Sequence, residues 1–212
     1  IDKTNFSTCL YDLEKKITDK TKAIIIQHTF GYMANIDNVF VEKIKKNKIF
    51  IIEDCALTIS SKNKINYSGS FGDAAVYSFD RSKPISVLIG GCLVINNPSL
   101  IYNFENCYKN IKTLAKKKQK HILYQILIDK IFLNNNLYFL WKIINYLSRN
   151  LLIFFKPYFD EDTKSTSKMP SYDYPSKMPQ SIKYLLIKGI DNYKNQYKTQ
   201  NKFKEKYQYL IN

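Results

Sequence analysis

Three residues within the first hundred have the types and spacing for chemistry on a carbonyl: Asp54, Ser78 and Lys83. Lys83 lies in GSFGDAAVYSFDRSKPISVLIGG, residues 69–91, between a Ser-Phe-Asp segment and a Gly-Gly pair. A lysine amine condenses with an aldehyde to a Schiff base when it is held, desolvated and partly neutral. Asp54 closes the run KIFIIED, and a carboxylate so placed can keep the ring nitrogen of a bound heterocycle protonated, so that the ring accepts electrons. Ser78, five residues before Lys83, can offer its hydroxyl to a phosphate. Spacing alone leaves two readings open. A Glu-Asp pair at a strand end also serves as a cap or an ion pair, and Ser-x-x-x-x-Lys is a short motif.

These residues need elements to position them, and the apolar pattern supplies candidates. KAIII, KIFIIED, DAAVYSF and GGCLVINN each read as a buried strand. Between the first two, NIDNVFVEKIKK (35–46) predicts a helix with Ile36, Val39, Phe40 and Ile44 on one face. Asn35 is its expected N-cap, and lysines fill its last turn. Strand, helix, strand with continuous apolar strands predicts a parallel sheet covered by helices, an α/β class. Ligands of such sheets bind beyond the carboxyl ends of the strands. Glu53 and Asp54, Ser78 and Phe79, and His28 are therefore expected to converge on one rim, with Lys83 over it.

The remaining composition bounds the function. The chain has 212 residues, enough for one domain with a sizeable core, and 45% are hydrophobic, which argues against disorder. The net charge is +15, yet only Arg81 and Arg149 are arginines. Arginine is the usual reader of phosphate and base edges, so a specific nucleic-acid partner is not expected and the charge reads as compositional bias. Cys9, Cys55, Cys92 and Cys107 form no C-x-x-C pair and no ligand spacing with histidine, so neither a metal site nor a disulfide framework is expected. No secretory signal is present, which favours a cytoplasmic location.

Beyond Pro98 the texture changes. Residues 98–118 read as helical, ending in the basic run KKKQK, so 1–118 forms the first region. Residues 119–159 are an apolar, aromatic-rich helical insertion with no run long enough to span a bilayer. Residues 160–179 read as a polar loop punctuated by proline. Ile182, Leu186, Ile190, Tyr193 and Tyr197 then recur at helical spacing, so 180–212 reads as a long amphipathic helix.

Taken in order, TKAIIIQHTFGYMANID, KIFIIEDCALTI and GSFGDAAVYSFDRSKPISVLIGGCLVINN resemble the DegT/DnrJ/StrS family of sugar aminotransferases, of the aspartate-aminotransferase fold, fold type I. The resemblance covers the first hundred residues and resumes at SKMPQSIKYLLIKGIDNYKNQYKTQNKFKEKY. It implies pyridoxal 5'-phosphate as cofactor, Lys83 as the Schiff-base lysine, Asp54 as the partner of the ring nitrogen and Ser78 as a phosphate ligand. It implies transamination of a nucleotide-linked keto-sugar by an amino acid such as glutamate, within a homodimer; the alternative is a catalytically silent relative of the same fold or, on charge and the apolar 121–159 stretch alone, a basic membrane-surface or nucleic-acid-binding protein. Leu57 stands where the family usually has a glutamine against the cofactor ring. Gln180 is a candidate phosphate contact reaching the partner subunit. His28 stands where relatives often have a histidine near the site, with a buried structural histidine as the alternative. Against the family pattern the chain reads as a fragment, without the N-terminal phosphate turn and the C-terminal small domain.

Overall fold

The computed structural model describes residues 1–3, 6–62, 66–132, 137–140, 142, 143, 146 and 176–193. The later part of the expected insertion, most of the expected loop and the tail from 194 lie outside these residues. The described chain divides into two units, one formed by residues 1–109 with 185–212 and one by 110–184.

All four predicted strands form. They are β1 (Ala23–Gln27), β2 (Phe50–Asp54), β3 (Ala74–Ser78) and β4 (Gly91–Ile95), in the spatial order β1-β2-β3-β4. The pairs β1–β2 and β2–β3 are parallel, and β4 is an antiparallel edge strand on β3. The architecture is the α/β class that the apolar pattern implies.

Helix α1 (Leu10–Glu14) precedes β1, and α2 (Asn38–Lys46) makes the crossover between β1 and β2. The start of α2 differs from the expected one. Asp37, not Asn35, is the N-cap, and its carboxylate accepts from the Phe40 amide at 2.7 Å. Phe40, Val41 and Ile44 point inward, while Val39, expected on the same face, is 76% exposed. These side chains pack with Ile24, Ile26, Ile49, Ile51 and Phe71 into the core. Ile26, Ile44 and Ile51 are completely buried, each contributing about 1.5–3 kcal/mol.

Among the described residues the main apolar core lies on one face of the sheet. The β1 pattern alternates exposed and buried, with Ile24 and Ile26 inward and Ile25 63% exposed. Continuous apolar strands suggested cover on both faces. In this structure Ile25, Val76 and Leu93 leave the second face open.

After β4 come a 3₁₀ turn at Pro98–Leu100, α3 (Ile101–Asn110) and α4 (Lys116–Phe132). The run KKKQK opens α4 instead of ending the preceding helix, because the chain breaks its helical path at 111–115. In the second unit Thr113 bridges Lys177, and Leu114, Ile122 and Ile182 are buried. Residues 180–193 are helical, with Ile182 and Leu186 inward as their spacing predicts.

Candidate active site

Strand register decides which side chains meet. Side chains of residues paired across neighbouring strands share a face, and successive ones alternate. Gln27 pairs with Asp54, and Asp54 with Val76. Asp54 and Ser78, two residues past Val76, thus lie on the same, open face at the carboxyl ends of adjacent parallel strands. With about 3.3 Å of rise per residue and about 4.8 Å between strands, their Cα atoms are roughly 8 Å apart. Both are half-buried.

Glu53 goes the other way. It pairs with Ile26 and Ala75 on the helix-covered face and is completely buried. One carboxylate oxygen accepts from the Phe71 and Gly72 amides at 2.9 and 2.7 Å, the other from the Gly69 amide at 2.7 Å. The second oxygen also receives His28 Nε2 at 3.0 Å. His28 Nδ1 accepts from the Ala34 amide at 3.0 Å, which fixes the proton on Nε2. The ring is completely buried and stands edge-on to Phe71. Glu53 and His28 therefore do not join Asp54 and Ser78 on one rim face as expected. His28 is completely buried with both ring nitrogens hydrogen-bonded, the arrangement of its structural reading.

Glu53 and His28 tie the end of β1 to the loop that leads into β3. The loop's glycines make this possible. Gly69 sits at φ +86°, and a Cβ there would lie 1.9 Å from the Tyr77 hydroxyl. That hydroxyl donates to the Ser68 carbonyl at 2.8 Å, closing the loop over β3.

His28, Glu53 and Cys55 have metal-ligand types, and their donor atoms lie within 4.8 Å of one another. The donors are already spent. Both imidazole nitrogens are bonded, and the carboxylate holds three amides. Burial, with the Glu53 charge beside it, pushes the Cys55 thiol up to about 12. A protonated thiol is a poor ligand and a poor nucleophile. The cluster is a hydrogen-bonded anchor.

On the open face the donor set suits a phosphorylated pyridine aldehyde. Asp54 Oδ1 accepts from the Ala56 amide at 3.0 Å, and among the described residues Oδ2 takes no donor. It can accept from a protonated ring nitrogen. Among the described residues the Ser78 hydroxyl meets the Asp80 amide, at 3.5 Å, and donates to no acceptor, so its proton is available to an anion. Lys83 sits on the loop that leaves β3. The Phe79 amide bonds to Gly90, Val87 returns to Phe79, and the Lys83 amide closes a turn on Asp80 at 3.0 Å. Its side chain is half-buried, and among the described residues its amine makes no hydrogen bond or ion pair. Leu57 is half-buried three residues past Asp54, and its side chain offers no hydrogen bond. Gln180 is exposed at the start of its helix, in the second unit.

Sequence reading missed one residue of this face. Gln27, exposed and paired with Asp54, adds an amide beside the carboxylate. Apolar runs alone did not reveal it, because only the register of β1 on β2 brings Gln27 opposite Asp54.

The sheet's carboxyl rim thus presents an aspartate and a serine, with a lysine on the loop that follows β3. Comparison with known proteins gives the family. The profile of the DegT/DnrJ/EryC1/StrS aminotransferase family matches residues 1–129, and the chain belongs to that family. Its members use pyridoxal phosphate. The chain is 39% identical over 99 residues to GDP-perosamine synthase of Escherichia coli O157:H7, covering 47% of this chain and 27% of that protein. It is 30% identical over 124 residues to dTDP-3-amino-3,6-dideoxy-alpha-D-galactopyranose transaminase of Aneurinibacillus thermoaerophilus, 52% and 34% of the two chains. Among solved structures, Helicobacter pylori PseC, an aminotransferase of pseudoaminic acid biosynthesis, matches at 27% identity and TM-score 0.45 over 54% of this chain and 30% of that one. E. coli GDP-4-keto-6-deoxy-D-mannose-3-dehydratase with bound hydrated PLP matches at 25% identity and TM-score 0.42, covering 50% and 27%. The chain spans about a quarter to a third of the length of the curated relatives it matches.

Proposed function

We propose that this chain carries the Schiff-base lysine and the ring-nitrogen carboxylate of an aminotransferase that moves an amino group from an amino acid, glutamate by family resemblance, to a nucleotide-linked keto-sugar. The observation that carries the reading is the shared open face of Asp54 and Ser78, with the unpaired Lys83 amine on the loop that follows.

Pyridoxal phosphate, when bound, supplies an electron sink for the pair left as a C–H bond breaks. With it bound, Asp54 Oδ2 would hold the proton on the ring nitrogen and the Ser78 hydroxyl would donate to the phosphate. Lys83 Nζ would anchor the cofactor and, once freed by a donor amine, would take the proton from the donor's α-carbon in one half of the reaction and deliver a proton to the sugar carbon that receives the amino group in the other. Leu57 presents only an apolar side chain beside Asp54. Gln180 belongs to the reading as a phosphate contact supplied to a second subunit of a homodimer. A cytoplasmic role in amino-sugar and surface-polysaccharide synthesis accords with the sugar-nucleotide transaminases among its relatives.

Borohydride reduction of the cofactor-treated protein, followed by peptide mass mapping, tests this. The adduct is expected on the peptide containing Lys83 and absent from Lys83→Ala. Labelling of another lysine in the wild-type chain, or of none, refutes the assignment.

A further inference from the structure

Phe30 is an exposed aromatic in a backbone conformation that aromatics avoid. Its φ is +51° and the following Gly31 is at +82°, so both central residues of the Thr29–Tyr32 turn are left-handed, as in a type I′ turn. Asn, Asp or Gly fit the first of these positions far better than a bulky side chain. The turn is nonetheless firmly held. Thr29 and Tyr32 exchange both backbone hydrogen bonds, at 3.1 and 2.9 Å. The Gly31 amide reaches the Leu57 carbonyl at 3.2 Å and Thr58 Oγ1 at 3.3 Å, and Ser61 Oγ donates to the Gly31 carbonyl. Ser7 Oγ ties both ends of the turn from the N-terminal side.

The ring gains little in return, because it is 69% exposed. A strained residue that neither fills the core nor caps an element, held by its surroundings, points to a contact with something outside the chain. Its place says where. The turn begins two residues past Gln27, the register partner of Asp54, and is pinned to Leu57, three residues past Asp54. It stands at the carboxyl rim, bonded to the segment that follows Asp54 in the chain.

We propose that Phe30 is a substrate-contacting residue that presents its ring to the C–H face of the acceptor's pyranose. This deepens the aminotransferase reading and rests on it for the class of ligand. A pyranose carries polarised C–H bonds on its flat face, and these pack on an aromatic face. The hydroxyls stay at the edge for solvent and polar groups. Donor amino acids have no such face, so the ring should act in one half of the reaction alone.

The test uses the full chain treated with pyridoxal phosphate, in wild type, Phe30→Asn and Phe30→Tyr. Three readouts are taken: the reduced Lys83 adduct, the thermal midpoint of the untreated protein, and binding of GDP-, UDP- and dTDP-linked 4-keto-6-deoxyhexoses by calorimetry. Phe30→Asn is expected to keep the adduct and to match or raise the midpoint, since asparagine tolerates positive φ. It is expected to weaken the best-bound sugar nucleotide at least tenfold, and Phe30→Tyr to restore binding to within about threefold. Sugar binding unchanged in Phe30→Asn, a lowered midpoint, or no binding of any of the three probes by wild type overturns the proposal. A Phe30-dependent sugar affinity without an adduct at Lys83 leaves the platform standing and refutes the aminotransferase reading instead.

Discussion

Glu53 and Asp54 are neighbours in sequence with opposite tasks, because side chains alternate across a strand. The buried Glu53 satisfies three amides and His28, whereas Asp54 on the open face has one oxygen that accepts from no donor among the described residues. Substituting them should give opposite phenotypes. Glu53→Leu strands four donors, each costing about 1–3 kcal/mol, so urea denaturation should show a loss above ~3 kcal/mol or no folded state. Asp54→Asn should stay within about 0.5 kcal/mol of wild type and retain the reducible Lys83 adduct while losing donor-dependent turnover. Unfolding of Asp54→Asn together with tolerance of Glu53→Leu would exchange the two roles. Gly69→Ala should also abolish folding, since its Cβ would meet the Tyr77 hydroxyl at a backbone conformation that L-residues avoid. A folded Gly69→Ala protein by circular dichroism contradicts this.

At the scale of elements, the strands were legible because each is a short apolar run with turn residues at its ends. Their register was not, and register decides that Asp54 faces Ser78 while Glu53 faces His28. Apolar content told which segments are buried, but not that the main apolar core of the described residues lies on one face. The cap of α2 was misplaced because Asn35 and Asp37 are both capping types. Asp37 wins since only its carboxylate reaches the Phe40 amide with Phe40, Val41 and Ile44 facing the core. Asp37→Ala should cost about 1 kcal/mol in chemical denaturation and Asn35→Ala close to nothing, the reverse order returning the cap to Asn35. The β2–β3 junction also sets an alkaline limit. Burial raises the Cys55 thiol from 9.0 to about 12 and shifts Tyr77 upward as well. A group whose pKa rises on folding stabilises fully below its unfolded value and loses that contribution as pH climbs through the folded one. Stability should therefore fall from about pH 9 toward about pH 12, and Cys55→Ala should flatten the fall in pH-dependent melting. An equally steep fall in the variant would place the titration elsewhere.

For the molecule as a whole, the open question raised by composition is the +15 charge, the property most visible in the sequence and least tied to the site. Its distribution argues against a built binding surface. Lys43, Lys45 and Lys46 lie in the last turn of α2, where the helix dipole favours cations, whereas Lys116, Lys117 and Lys118 open α4, where it opposes them. On these two helices lysine placement does not track helix polarity. Lys43 is paired with Glu14 at 3.0 Å, an exposed contact worth little for stability. With two arginines in the chain, bidentate reading of base edges has few side chains to use. Such a surface binds duplex DNA only by releasing counterions, so log K should fall linearly with log salt and show no sequence preference. By fluorescence anisotropy, the dissociation constant at ~0.15 M salt should be weaker than about 10⁻⁶ M for every duplex tried. A duplex that binds tighter than the rest and keeps its affinity as salt rises would show that the lysines form a specific site.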